Sequence, residues 1–156
     1  MKSRLILSFI AMMLAGCSGE PDAKPDTLIS EGYDQKEMDA AIVRARREID
    51  SFLAVLATGD ADSFSVKAPI TDRHGTEHFW ITDVRYEDGT FVGLIGNDPG
   101  IVKNVRFNQE WRIKKDEISD WMYVRGDRIF GGYTIDPLLA SWDPVQAEAL
   151  RKQLVR

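Results

Sequence analysis

Three short stretches of this chain carry side chains able to do chemistry. The first is His74-Gly75-Thr76-Glu77-His78. On a helix, that H-x-x-E-H spacing sets two imidazoles on one face, as a zinc site needs. Gly75 and Thr76 are poor helix formers, and the following Phe79-Trp80-Ile81-Thr82 alternates as a strand does. On a strand the two histidines would lie about 13 Å apart. The spacing is better read as a hairpin end in which Glu77 and His78 hydrogen-bond across a sheet. No metal and no cofactor are expected, and purified protein should hold no stoichiometric zinc.

The second stretch is acidic: Asp116, Glu117 and Asp120, with Asp116 and Asp120 placed to face each other around a tight turn. Paired carboxylates divide acid and base work when their surroundings separate their pKa values. Asp and Ser also form turns by bonding nearby backbone, and that reading is preferred, with Ile118 and Trp121 anchoring the turn. The third stretch is Gly96-Asn97-Asp98-Pro99-Gly100, whose backbone N–H groups are able to cradle an anion. It lacks the Lys-Ser/Thr of a phosphate loop. Asn97, with Asp98 beside it, is the best candidate for a ligand-facing polar residue. Trp80 falls out of phase with Phe79 and Ile81, so it is a candidate binding anchor on an outward face, or a residue that a helix covers. No serine has a His/Asp partner at a recognisable spacing, which disfavours a nucleophilic hydrolase.

These residues need a frame. Asp34, with Glu37 three positions on, starts a helix. Met38, Ala41, Ile42, Ala45, Ile49, Phe52, Leu53 and Leu56 give it an apolar face as far as about Ala57. Such a helix is roughly 33 Å long, enough to cross a sheet. Strand alternation begins at Ser63, with Pro69 expected at an edge or strand end. A strand around 79–84 turns at Glu87-Asp88-Gly89 into a return over 90–95. Further strands are expected at 109–114, 120–125 and 128–132. Asp136-Pro137 and Asp143-Pro144 read as caps of two short helices, the last docked by Val145, Ala149, Leu150 and Leu154. The sum is an α+β fold: a long N-terminal helix packed on a curved antiparallel sheet of five to six strands, with short C-terminal helices.

The N-terminus speaks to location. Lys2 and Arg4 precede an apolar run from Leu5 to Leu14, too short to span a membrane. Leu14-Ala15-Gly16-Cys17 then resembles the lipobox of bacterial lipoproteins. The resemblance implies cleavage after residue 16 and lipid on Cys17, the single cysteine. Ser18 in the next position resembles the signal for outer-membrane rather than inner-membrane sorting in a Gram-negative cell. Residues 17–33, rich in Pro, Gly and charge, read as the lipidated cysteine and a flexible tether, and 34–156 as one domain. Losing Lys2 and Arg4 with no acid carries the net charge from −5 to −7. That balance disfavours nucleic acid as a partner.

The domain also resembles a known family. Phe64-Ser65-Val66-Lys67, Glu77-His78-Phe79-Trp80, Tyr86-Glu87-Asp88-Gly89, Gly96-Asn97-Asp98-Pro99, Ile118-Ser119-Asp120-Trp121-Met122 and Gly131-Gly132-Tyr133-Thr134 occur in order. They resemble the YegJ-like bacterial domain of unknown function, the DUF family numbered 2314. The resemblance implies a small α+β domain and brings no catalytic residue. The expectation is an envelope lipoprotein, held to the membrane through Cys17, whose domain binds a protein or envelope component without catalysis. The alternatives are an immunity-like protein that caps a basic toxin, and a small-ligand binder or hydrolase using Glu77, His78, Asn97, Asp98 and Asp120.

Overall fold

The computed structural model describes residues 32–156 and, before them, two short strands, β1 (Leu5–Leu7) and β2 (Leu28–Ser30), paired antiparallel. Cys17, with the rest of the segment read as signal and tether, lies outside the described residues.

Asp34 caps the first helix, α1 (Gln35–Arg47), its carboxylate accepting the Glu37 N–H at 2.9 Å. The expected single helix is two. Glu48 leaves helical geometry at φ −98°, ψ 8°, and α2 (Ile49–Thr58) follows. The break coincides with a hub of bonds at the Glu48 carboxylate. It accepts from the Tyr133 hydroxyl at 2.5 Å, Arg44 at 3.1 Å and Arg47 at 3.0 Å. These bonds hold the Glu48 carboxyl down at about 2, the Tyr133 bond contributing most. Burial, then the same bond, pushes the Tyr133 hydroxyl up to about 12.

The chain then forms β3 (Ser63–Asp72), β4 (Gly75–Glu87), β5 (Thr90–Ile95) and β6 (Glu110–Lys114). It continues through β7 (Asp120–Arg125) and β8 (Arg128–Gly131). After helices α3 (Ile135–Leu139) and α4 (Pro144–Arg151) comes β9 (Leu154–Val155). The main sheet has seven strands in the order β6-β5-β4-β3-β7-β8-β9, antiparallel throughout except for β8 with β9. The β4–β5 hairpin closes through Asp88 and Gly89, both at positive φ (47° and 81°), between paired Glu87 and Thr90. Two successive left-handed residues match the twist of a two-residue hairpin loop.

The α+β architecture matches the expectation; beyond the split helix and the added seventh strand β9, which pairs in parallel, three further details differ from it. Pro69 lies on a central strand, but where it stands the pairing with β7 has already ended at Lys67, so on that side no ladder bond is lost. Asp136 is not a cap. It lies inside α3, behind Thr134, and pairs with Arg156 at 2.6 Å. Asp143 does cap α4, accepting from Val145 and Gln146 N–H. The buried face of α4 carries Ala147 and Leu150, however. Val145 is 77 % exposed, Ala149 is exposed as well, and Leu154 belongs to β9.

Both faces of the sheet are covered. On one, Ala45, Ile49 and Phe52 pack against Val66, Phe79, Ile81, Phe91 and Trp121. Phe52 lies 5.3 Å from the Trp121 ring, and Trp121 Nε1–H donates to the Ala45 carbonyl at 2.8 Å. Ala45 is in the last turn of α1, where helix carbonyls need outside donors. On the other face, Ile135, Leu138, Leu139, Ala147 and Leu150 cover Trp80, Met122, Val124 and Ile129. The polar residues at the centre of that second face are therefore enclosed, and there the chemistry-bearing residues gather.

Candidate functional site

Strand pairing sets Lys67 between Trp80 on β4 and Asp120 on β7, all on the second face. Lys67 and Asp120 are each 0 % exposed. A buried charge is costly unless bonded, and the bonds are visible. Lys67 Nζ donates to Thr134 Oγ1 at 3.0 Å and lies 5.7 Å from the centre of the Trp80 ring. The Thr134 hydroxyl in turn donates to Asp120 Oδ2 at 2.7 Å. Asp120 also accepts three backbone N–H groups: Trp121 at 2.8 Å, Tyr133 at 3.2 Å and Thr134 at 2.8 Å. One carboxylate thus pins β7 to the turn that opens α3. Burial pushes the Asp120 carboxyl up, against the pull of Lys67 and these bonds. Burial draws the Lys67 ammonium down from 10.5 to about 7, with Asp120 pulling the other way.

His78 extends this network. Its Nδ1 meets Ser119 Oγ at 3.0 Å, and Ser119 Oγ also reaches the Lys67 carbonyl at 3.2 Å. With the Ser119 hydroxyl donating to the Lys67 carbonyl, the His78 tautomer that carries Nδ1–H donates to Ser119 Oγ, and Ser119 is 2 % exposed. Burial first, then Lys67 and Arg46, press the imidazole down to about 3, so it is neutral across the physiological range. A serine–histidine contact of this length resembles a nucleophile with its base. Here the serine is sealed beneath the fold and tied to backbone, so no substrate carbonyl can approach it.

Glu77 forms a second constellation. Fully buried, it accepts backbone N–H groups of Gly100 (3.1 Å), Ile101 (2.9 Å) and Val102 (3.3 Å). The loop does cradle an anion, and the anion is the protein's own carboxylate. Asp72 adds a parallel bond to Lys103 N–H at 2.6 Å. Together they clasp the 100–103 segment to the end of the β3–β4 hairpin. Asn97 is buried, with Nδ2 donating to the Asp98 carbonyl at 3.2 Å and Oδ1 without a partner among the described residues. Asp98 is half-buried beside it.

The candidates read from the sequence thus fall into two groups. His78, Trp80 and Asp120 meet around Lys67, whereas Glu77, on β4, clasps the 100–103 segment and Asn97, just before that segment, bonds the Asp98 carbonyl. Trp80, considered as an outward anchor, is 1 % exposed under the C-terminal helices. Asp116 does not face Asp120: it is exposed on the 3-10 turn Lys115–Glu117. Lys67, Thr134 and Ser119 were missed. Lys67 reads as an ordinary polar beat of a half-buried strand, and its one signal is that β3 is flanked by strands on both sides. Among the described residues, no group of His, Cys, Asp and Glu is arranged to hold a metal ion, and no helix is long and apolar enough to cross a membrane.

This fold, with its enclosed polar network and self-filled loop, is a small α+β domain. Residues 35–152 match the family model described as an uncharacterised protein conserved in bacteria, DUF2314, and the chain belongs to that family. It is 55 % identical over 155 residues to the uncharacterised protein YegJ of Escherichia coli, covering 99 % of both chains. A 63-residue stretch is 40 % identical to a putative ankyrin repeat protein of Neisseria meningitidis serogroup B, covering 40 % of this chain and 24 % of that protein. No solved structure matches.

Proposed function

We propose that this is a lipid-anchored protein of the bacterial cell envelope, facing the periplasm from the outer membrane in a Gram-negative cell, whose domain binds a protein or envelope component without catalysing a reaction. One observation about the domain carries the reading. Of the acidic trio Asp116, Glu117 and Asp120, only Asp120 is buried, and it and Glu77, the carboxylate of the hydrolase alternative, are both fully buried and bonded to backbone N–H groups. They are consumed in holding the fold, which leaves the surface for recognition. The Leu14–Cys17 lipobox pattern supports the anchor. Lipid on Cys17 would put the domain on a tether, where binding needs reach more than chemistry. An immunity-like role is a narrower form of the same reading.

Two experiments test it. Cys17→Ser should move the protein from the membrane fraction to the soluble one, and unchanged membrane retention would refute the anchor. Affinity purification of the tagged full-length protein from cross-linked cells should then recover one stoichiometric partner. Turnover of a small substrate, abolished by His78→Ala with the fold intact, would instead favour the hydrolase reading.

A further inference from the structure

A groove of about 690 Å³ opens where the α1–α2 break meets the ends of β4, β5 and β6. Its walls are Arg46 and Ile49 from the helices, Asp88, Gly89 and Thr90 from the hairpin, and Lys114, Lys115 and Asp116 at the end of β6. That volume lies within the roughly 300–1,000 Å³ of small-molecule clefts. Its charges are of both signs. Lys115 is spoken for, paired with Asp50 at 2.6 Å. Among the described residues, the Arg46, Lys114, Asp88 and Asp116 side chains have no ion-pair partner within 4 Å. Two cations and two carboxylates thus line one groove without neutralising each other.

Three of its walls are also held in place. Arg46 Nε–H donates to the Ile118 carbonyl at 2.7 Å, which fixes the guanidinium and, among the described residues, leaves its Nη groups uncommitted. Asp88 sits on the tight hairpin turn, and Lys115 N–H donates to the Gly89 carbonyl at 3.0 Å, joining that turn to the end of β6. Arg46, bonded in this way, and Asp88, on a fixed turn, lose little freedom when a ligand arrives, whereas Lys114 and Asp116 are exposed and are ordered by it.

A simple anion would meet Asp88 and Asp116, and a simple cation would meet Arg46 and Lys114. A ligand carrying both charges satisfies both pairs. We propose that this groove binds a zwitterionic peptide-class ligand, its carboxylate on Arg46 and Lys114 and its ammonium on Asp88 and Asp116. The proposal rests on the binding role above and deepens it by naming a ligand class.

The test is a titration of the ¹⁵N-labelled full chain in detergent, followed by amide chemical shifts, with trialanine, N-acetyl-trialanine and trialanine amide as probes. Trialanine should give saturable shifts at Arg46, Gly89, Thr90 and Lys115. Each blocked peptide, Arg46→Gln and Asp116→Asn should bind at least about tenfold more weakly, a loss of about 1.4 kcal/mol per charge contact. The Asp116 side chain makes no bond to the other described residues, so its variant stays folded if Arg46→Gln does not. Absence of saturable shifts at these amides, or equal binding of all three peptides, overturns the proposal. Failure here leaves the Cys17→Ser release and the recovery of a protein partner as they are, so the two readings fail separately.

Discussion

Lys67→Met offers the sharpest test of the buried network. Methionine keeps the unbranched stem as far as Cε and removes the titrating nitrogen, and the Thr134–Asp120 bonds remain. Burial lowers the Lys67 ammonium from 10.5 to about 7. Between those values the unfolded chain holds a proton that the folded chain has shed, so stability rises with pH. Below about 7 both states are protonated, and the fold carries the full cost of an ammonium in its core. At about 1.4 kcal/mol per pH unit, the wild type should gain about 3–4 kcal/mol over Lys67→Met between pH 7 and 10. Urea unfolding of both proteins at pH 7, 8, 9 and 10, followed by tryptophan fluorescence, measures the difference. Subtracting the variant removes contributions from surface lysines and from Tyr133. Parallel stability curves would refute the reasoning, as would a Lys67 Nζ that titrates near 10.5 by NMR.

Other residues give further expectations. Trp121→Ala should cost about 3–5 kcal/mol by chemical denaturation, since it empties the space between Phe52, Tyr123 and Tyr133 and orphans the Ala45 carbonyl. A loss below 1 kcal/mol, judged against ordinary surface substitutions of about 0.5 kcal/mol, would contradict the packing. Glu77→Gln keeps the shape but weakens the carboxylate clasp. It should cost about 1–3 kcal/mol and speed hydrogen exchange at Gly100, Ile101 and Val102 above other loops. Glu48 is held at about 2 against an ordinary 4.5, so its stabilisation is full above 4.5 and is lost as pH falls toward 2. Glu48→Gln should therefore show a shallower acid loss in that window, and an unchanged acid transition would argue against the hub.

What the sequence made legible was what short-range rules control. Asp88-Gly89 announces its hairpin because few residue pairs accept two left-handed positions in a row. Of the apolar stripe from Met38 to Leu56, Met38, Ala45, Ile49 and Phe52 are buried and Ala41, Ile42, Leu53 and Leu56 are partly buried against the cores, as the spacing implies. The break at Glu48 was not legible, because its bonding partner Tyr133 lies 85 residues away. The His78–Ser119 contact spans 41 residues and hid for the same reason. β9 escaped because two residues carry no periodicity, and its parallel pairing depends on where α3 and α4 deliver the chain. Trp80 was placed on the right face, but alternation along a strand does not say what lies above that face. The site suffered most from this. Lys67 becomes exceptional only once both faces of the sheet are covered.

The Glu77 clasp has a consequence for what this family can become. A loop with three converging N–H groups is a receptor for carboxylate or phosphate, and here the ligand is built into the same polypeptide. Covalent tethering holds that carboxylate at an effective concentration on the order of millimolar or more. Free anions at micromolar levels therefore compete poorly for the cradle, and the loop stays closed against them. A single change that shortened Glu77 would leave those N–H groups without their acceptor and free the loop to loosen or to take an outside anion. The fold thus stands one side chain away from turning a structural clasp into a vacant anion receptor.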